Sequence, residues 1–581
     1  MSHKRQIIEC VPNFSEGRNM SVIKQITDEI ESVSGVKLLD VDPGEATNRT
    51  VVTFVGSPED VTEAAFRAVR CASQLIDMRQ HHGAHPRMGA TDVLPLIPVS
   101  GITLEECAAL ARQLADRIAR EAGIPCYCYE AAAFTEERKN LAVCRQGEYE
   151  ALQEKLTTPG KQPDFMPEEL NNITDPQSSI PEQILKSGCT AVGARDFLIA
   201  VNFNLNTTST RRANAIAFDV REKGRPMREG GSITGKIMRY ASGEPIMQPG
   251  TLKATKAIGW YIDEYGIAQV SMNITNLNVT PLHKAFDEVC RCAHNRGLRV
   301  TGTEIVGLVP KKAILDAGCY FLAKQQRSTG IPEADIIKIA IKSMGLDDLK
   351  PFNPREKVIE YMLDDAQQNA GTRLADLTIK AFAEETSRES PAPGGGTIAA
   401  YMGALGAALG TMVANLSSHK AGWDDRWHHF SSWAEKGQQL MTRLLQLVDE
   451  DTQAFNAIMA AFGLPKATEA DRKQRAAAIE AATLHATEIP LETMNTALQA
   501  FDICKAMASE GNPNSVSDAG VGALAARAAV LGAALNVKIN ASALSDKAAA
   551  KNFIEQADAL AAKADAEEKA IMEIVENKIA E

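Results

Sequence analysis

The segment His81-His82-Gly83-Ala84-His85-Pro86-Arg87-Met88-Gly89 gathers three imidazoles and a guanidinium into one glycine-containing loop. An imidazole titrates near pH 6.5, so it can take and return a proton at neutral pH. Three histidines in five positions could also ligate a metal, yet no acidic residue or cysteine in the loop completes such a set, and Pro86 and Arg87 suit a cation poorly. A histidine acid/base beside an anion-orienting Arg87, a metal site and a solvated loop are the three readings. Asp451 is a second candidate. Leu444, Val448, Phe455 and Ile458 recur on one helical stripe, and Asp451 falls in it while Asp449 and Glu450 do not. A carboxylate on an apolar face is costly unless it is paired or working, and burial raises its pKa toward a useful acid/base value. Catalysis and a structural ion pair both fit that position.

Weaker signals stand at predicted strand ends and helix starts. Val11-Pro12-Asn13-Phe14-Ser15-Glu16-Gly17, with Asn13, and Asp40-Val41-Asp42-Pro43-Gly44, with Asp42, Asn48 and Arg49 close by, read equally as site segments and as turns. In Ser187 to Arg195, Gly188 and Gly193 would let backbone approach a ligand. Gly394, Gly395 and Gly396 open a helix whose free N–H groups favour an anion. No Gly-Lys-Ser/Thr follows and no strand precedes them, so neither a Walker loop nor a dinucleotide fingerprint is present, and a plain helix start also fits. Ser515 and Asp518 lead into a small-residue helix and could form only a capping box; Asn536 and Asn540 lie one turn apart further along it.

These residues need elements to hold them. Strands and helices alternate twice: Ile7 to Glu130 holds one α/β pattern and Phe197 to Val309 another. A Pro/Asn/Asp/Ser-rich connection near 155–187 joins them, Gly224 to Gly250 reads as a long surface loop, and Asp364 to Thr372 as a linker. Beyond it the chain is Ala-rich with helical periodicity. The expected architecture is multidomain: two α/β lobes of mixed sheets with packed helices (residues 1–184 and 185–363), a linker (364–374) and an all-helical domain (375–581).

Length and composition agree, with 581 residues, 45% hydrophobic and 23% charged, which suits several globular domains. A net charge of −12 argues against nucleic-acid or membrane-surface binding, and the apolar stretches are too interrupted for a membrane span. The first residues lack a signal-peptide core, and the scattered cysteines read as reduced thiols, so a cytoplasmic location is expected.

Taken together, the ordered motifs resemble the formimidoyltransferase-cyclodeaminase family over nearly the whole chain. The resemblance rests on CVPNFSEG (Cys10 to Gly17), Leu38 to Thr50, HPRMGATD (His85 to Asp92), GCTAVGARDFLIAVN (Gly188 to Asn202), Gly259 to Gln269 and Gly307 to Lys311. For the second part it rests on APGGGT (Ala392 to Thr397), Leu447 to Lys466 and Asn514 to Asn540. It implies two lobes around a folate cleft that move a formimino group from formiminoglutamate to tetrahydrofolate. A dimerising helical domain would then form 5,10-methenyltetrahydrofolate and ammonia. By position, His85 matches the transferase histidine, Asp451 the cyclodeaminase acid/base, and Gly188 to Arg195 the end of the folate-binding stretch. On this reading Asp42 orients or charges His85, and Arg87 or Arg195 holds substrate carboxylates, while Asn13, Gly188 and Gly193 contact folate or substrate. The Gly394–Gly396 loop with Ser515 and Asp518 contacts folate in the helical domain. Tetrahydrofolate, in its polyglutamylated form, is the co-substrate; no metal is expected, and the helical domain is expected to assemble a homo-oligomer. The alternative is a transferase whose helical domain is only a folate-binding scaffold. The segment before Gly188 departs from the animal-type pattern, so its folate contacts do not carry over, and Gly224 to Gly250 reads as an insertion.

Overall fold

The computed structural model describes residues 6–45, 48–83, 86–170, 179–231, 235–368, 373–390 and 392–581. Two compact units divide the chain: residues 1–313 with 346–366, and residues 314–345 with 367–581.

The first lobe of the first unit runs β1 (Ile7–Cys10), β2 (Asn13–Phe14), α1 (Met20–Glu31), β3 (Val36–Gly44), β4 (Arg49–Gly56), α2 (Pro58–Leu75), β5 (Thr91–Ser100), α3 (Leu104–Ala122), β6 (Cys126–Glu130) and β7 (Thr190–Ala194). The helices start where the sequence provides caps. Asn19 accepts from Ser21 and Val22 N–H, Ser57 from Asp60 N–H ahead of Pro58, and Thr103 with Glu106 closes a capping box. Strands β1 and β2 are one line broken at Val11-Pro12, and both pair antiparallel with β4 and β5. β5 then pairs parallel with β7, and β7 with β6, giving a mixed sheet. Alternation along the strands sorts their faces. Ile8, Cys10, Phe54, Leu96, Cys126 and Cys128 pack under α1–α3. Tyr127, Val93 and Ala191 face Leu152, Leu156 and Ile184 on the other side. All eleven cysteines are free thiols.

The boundary expected at 184/185 moves. Gly188 to Arg195 is not the head of the second lobe, because β7 is hydrogen-bonded inside the first sheet. Parallel neighbours are distant in sequence, so local patterning does not reveal the pairing.

The second lobe is an antiparallel sheet of β8 (Ile199–Leu205), β9 (Thr255–Ile262), β10 (Ile267–Ile274) and β11 (Val300–Val306), in the order β9-β10-β8-β11. α4 (Thr210–Val220) docks onto β9 at Gly259, where a side chain would strike the Ala213–Asn214 backbone. Asn214 fixes that approach by accepting from Gly259 N–H (2.9 Å) and donating to its carbonyl (3.1 Å). α5 (Leu282–His294) completes the layer, with Phe286 against Phe203. The alternation Gln269, Ser271, Asn273 suggests a wet face, yet Gln269 is fully buried. It donates to Asn204 (2.8 Å) and accepts from the Trp260 indole (3.0 Å). The expected loop from Gly224 to Gly250 contains a short antiparallel ribbon, Arg225–Pro226 against Met247–Gln248.

In the second unit the long helices are α6 (Gly395–Ser418), α7 (Trp427–Phe462), α8 (Glu469–Leu498), α9 (Ala500–Glu510), α10 (Val516–Ala543) and α11 (Lys547–Ala580). α6 and α10 are long and apolar enough to cross a membrane by length and composition alone. Here they form the centre of the bundle: Ala399, Ala407, Ala526 and Ala533 are fully buried, and Arg527 and Lys538 pair with Asp565 and Asp558 of α11. Ile314–Gly345, expected to belong to the second lobe, clusters with this bundle. Asn415 donates to the Gly330 carbonyl (2.8 Å), and Thr329 N–H donates to Ser431 (3.1 Å).

Pro490 sits inside α8 and cannot donate to the Ala486 carbonyl one turn back. Asn540 of α10 donates to that carbonyl instead (2.6 Å). Asn540→Ala is therefore expected to cost about 1–2 kcal/mol in urea unfolding of the helical transition. In a Pro490→Ala background, where the helical N–H is restored, the same substitution should cost less than about 0.5 kcal/mol.

Candidate functional site

Backbone clamps pin the histidine loop at both ends. Asn48, in a left-handed conformation (φ 48°), accepts from Gly17 N–H (3.0 Å) and donates to the His82 carbonyl (3.1 Å). His81 Nε2 lies 2.8 Å from the Asn48 carbonyl, and burial holds the His81 pKa below its ordinary value. At the other end, Ser15 donates to the Gly89 carbonyl (2.7 Å), and fully buried Asp92 accepts from Met88 N–H (3.1 Å). Asp92 also takes two guanidinium groups, Arg49 (3.0 Å) and Arg145. His85 and Ala84 lie outside the described residues. Among the described residues no cluster of metal-ligating side chains exists.

The other candidates of this lobe have definite places. Arg87 is buried and pairs with Glu148 (3.1 Å) and Glu150 (2.7 Å), so its guanidinium is committed within the protein rather than to a substrate carboxylate. Asn13 accepts from Arg49 Nε (2.8 Å) and donates to the Val11 carbonyl (3.0 Å), which makes it a support for Arg49. Burial lowers the Arg49 pKa to about 10. Asp42 is exposed on β3, opposite Val51. The expected ligand-approach role of two glycines is filled by protein instead. A side chain at Gly188 (φ 66°) would strike the Met88–Gly89 backbone, and one at Gly193 would strike the Tyr129 ring.

A cleft of about 500 Å³ opens where the first sheet meets the second lobe, lined by Glu9, Asp40, Thr53, Arg195, Phe197, Leu198, Val306 and Lys357 among others. Arg195 lies here. Glu9 was not foreseen, although it is the one charged residue in the strand Ile7-Ile8-Glu9-Cys10. Burial raises its pKa to about 7, against the pull of Arg195.

In the bundle, the start of α6 and the middle of α7 meet. Thr397 donates its hydroxyl to Asp451 (2.8 Å) and lies 3.2 Å from the Thr452 hydroxyl; its backbone N–H also reaches Asp451. An anion does occupy this helix start, and it is the protein's own carboxylate. Gly396 has no room for a side chain against Asp451, Gly395 faces Asn536, and Gly394 is the N-cap. Burial raises the Asp451 pKa, and the Thr397 hydrogen bonds oppose the rise. No ion pair reaches Asp451 among the described residues, so the structural ion-pair reading falls away. Its neighbours differ: Asp449 accepts from Leu374 N–H (2.7 Å), and Glu450 pairs with Arg443 (2.6 Å). Asn536, noted in the sequence one turn before Asn540, lies beside Gly395 at this site. Thr452 carried no such signal, and for Thr397 the signal was its place at the third position after Gly394.

Ser515 and Asp518 are not part of this cluster. Ser515 makes no side-chain cap, and it sits at the opposite end of α10 from Asn536, about 30 Å away at 1.5 Å per residue. α6 and α10 run antiparallel, Gly406 against Gly522 and Gly395 against Asn536, so Ser515 lies beside the far end of α6.

A cleft on the α/β sheet and, among the described residues, a carboxylate without a cation partner in the helical bundle are two separate candidate sites on one chain, the arrangement of a two-part enzyme. Residues 7–195 match the formiminotransferase domain, N-terminal subdomain; residues 200–364 match the formiminotransferase domain; and residues 378–559 match formiminotransferase-cyclodeaminase. A formimidoyltransferase-cyclodeaminase of Gallus gallus is 41% identical over 542 residues, covering 93% of this chain and 94% of its own length. A glutamate formimidoyltransferase of Streptococcus pyogenes serotype M1 is 39% identical over 317 residues, 55% of this chain and 93% of its own length. A methenyltetrahydrofolate cyclohydrolase of Methylorubrum extorquens is 38% identical over 202 residues, 35% of this chain and 97% of its own length. The chain belongs to the formimidoyltransferase-cyclodeaminase family and carries both the transferase and the cyclodeaminase regions. The expected order of α/β lobes followed by a helical region is borne out.

Two outcomes follow for Asp451. Thr397→Val removes hydrogen bonding that lowers its pKa, so the acid limb of the ammonia-releasing step should move to higher pH, with a larger loss on the acid side of the profile than on its alkaline side. A raised carboxyl pKa means the folded chain holds this proton more tightly than the unfolded chain, so its stability contribution falls as pH rises through the folded pKa. Asp451→Asn should therefore raise the Tm of the bundle at pH 8 relative to wild type while abolishing ammonia release, read by calorimetry and an ammonia assay.

Proposed function

We propose that this chain moves the formimino group of N-formimino-L-glutamate to N5 of tetrahydrofolate. It then cyclises 5-formiminotetrahydrofolate to 5,10-methenyltetrahydrofolate with release of ammonia, as a step of histidine degradation. The observation that carries the two-step reading is Asp451, a half-buried carboxylate that among the described residues has no cation partner and is held by Thr397, in the region matched to the cyclodeaminase. A scaffold has no use for such a costly group.

In the transfer, N5 attacks the formimino carbon and the carbon–nitrogen bond to glutamate breaks. His85 takes the N5 proton and returns one to the departing glutamate nitrogen; Asp42 orients it. Arg195 in the cleft is the candidate carboxylate holder, because Arg87 is committed to Glu148 and Glu150. In the cyclisation, N10 attacks the carbon of the formimino group on N5, which is protonated as an amidinium, and the bond from that carbon to the terminal nitrogen breaks. Asp451 accepts the N10 proton and gives it to the leaving nitrogen, which departs as ammonia. A carboxyl raised by burial suits both halves of that exchange. Tetrahydrofolate is the one-carbon carrier throughout, and no metal enters these steps.

The cyclohydrolase relative supports a second reading of the helical region, in which water rather than an internal amine is the partner of the same carbon. Ammonia formation discriminates between the two. Exposed apolar side chains on the central helices, Leu405, Met412 and Leu416 on α6 with Val521, Leu524 and Leu535 on α10, support assembly with further copies of the chain. Eleven free thiols support work in the cytoplasm.

The test uses purified full-length chain with formiminoglutamate and tetrahydrofolate, following glutamate, ammonia and methenyl absorbance together. Wild type should yield all three. His85→Ala should lower glutamate formation about 100-fold or more, and Asp451→Ala should leave glutamate formation intact while formiminotetrahydrofolate accumulates. Glutamate without ammonia in the wild type would leave the helical region a scaffold.

A further inference from the structure

The face of the first sheet turned away from α1–α3 carries Glu9, Val11 and Asn13 from one line of strand, Thr53 from β4, and Arg195 just beyond β7. Glu9 differs from the other acids of this face. It is only 6% exposed, it lines the cleft, and its strand is paired on both sides, to Val55 and to Ile97. No hydrogen bond to its carboxyl forms among the described residues. Asp92, equally deep in the same lobe, accepts a backbone N–H and two guanidinium groups. A buried carboxyl without donors among the described residues is costly, and the cleft that it lines gives a ligand's donors access to it. The rest of the lining narrows what enters: Phe197, Leu198, Val306, Leu308 and Met362 offer apolar walls, and Arg195 supplies a cation near the carboxyl.

We propose that Glu9 is a substrate-binding residue of the transferase cleft whose carboxylate accepts two adjacent N–H donors of a bound substrate, with Arg195 favouring its charged form. The inference rests on the transferase reading above. That reaction offers two sources of such a donor pair. The 2-amino-4-oxopyrimidine edge of tetrahydrofolate presents N–H groups at N2 and N3, and the formimino group of the donor presents an amidinium. Both match the two oxygens of a carboxylate in the geometry that also joins guanidinium to carboxylate. The anionic glutamyl tails of either substrate are repelled by Glu9 and fall to Arg195 or Lys357.

The experiment is steady-state kinetics of the full chain, measured as glutamate release, for wild type, Glu9→Gln and Glu9→Asp. The isosteric Glu9→Gln replaces one acceptor by a donor, so it should raise one KM at least tenfold while kcat changes less than threefold. A change in KM for tetrahydrofolate assigns the pterin edge, and a change in KM for formiminoglutamate assigns the amidinium. The second readout is pH. The Glu9 carboxyl, raised to about 7, faces Arg195, Asp40, Glu356 and Lys357 across the cleft and lies next to the Cys10 thiol. In wild type the affected KM should rise as the pH falls from 8 to 6, and in Glu9→Gln that dependence should vanish; a purely structural carboxyl would not produce it. Glu9→Asp, one methylene short, should keep the pH dependence with a weaker KM. Unchanged values of both KM in a folded, active Glu9→Gln protein overturn the proposal. Absence of glutamate release in the wild type instead overturns the transferase reading on which it rests.

Discussion

A carboxylate removed from water must be satisfied by something, and the identity of that partner determines what each part of this protein can do. Three acids, two buried and one half-buried, show the range. Asp92 is fully buried and carries two arginines and a backbone N–H, so it is a structural anchor for the histidine loop. Asp451 has hydrogen bonds from Thr397 and, among the described residues, no cation, and burial leaves its pKa raised. Among the described residues Glu9 has no hydrogen-bond donor, and Arg195 lines the same cleft and lowers its pKa against burial. The three cases run from full internal compensation to compensation left for a ligand. Coulombic partners and hydrogen-bond donors hold a carboxylate charged, and burial without enough of them raises its pKa.

Much of this was legible in the sequence where the cause is local. Ser57-Pro58, the Thr103/Glu106 box and the apolar periods around them set their helices by contacts within four residues. The position of Asp451 on an apolar stripe was legible for the same reason. The errors share one cause, which is distance along the chain. β7 looked like the start of a new lobe because its partners β5 and β6 lie far upstream. Arg87 looked free because its partners Glu148 and Glu150 lie 61 and 63 residues downstream. Ser515 looked like a companion of Gly394 because both begin helices of one domain; the antiparallel course of α6 and α10 puts those two beginnings at opposite ends of the bundle.

Glycine illustrates why residue type alone underdetermines a site. Gly188 is required by a positive φ and by backbone packed against Met88 and Gly89, and Gly193 by the ring of Tyr129. Gly396 is required by a catalytic candidate, since the carboxylate of Asp451 fills the space a side chain would take. In sequence the three are equivalent: a small residue in a motif. Only the neighbour distinguishes a glycine that closes a fold from one that admits a functional group.

The composition of the helical region follows from the same demand on Asp451. A carboxylate becomes a usable proton carrier only when its surroundings are dry and close-packed, and a bundle achieves this by bringing helix backbones near one another. Gly403, Gly406 and Gly410 on α6 sit against Leu444 and Ala497, the Gly522 carbonyl, and Ile503 in turn, with Ala399, Ala407, Ala526 and Ala533 filling the remainder of the core. Bulky residues at these places would push α7 and α10 outward and admit water along α6. The alanine-rich pattern that first marked this region as helical is therefore also what lets α6 present Thr397 to Asp451 at hydrogen-bond distance, so the packing of the domain and the acidity of its central residue have one origin.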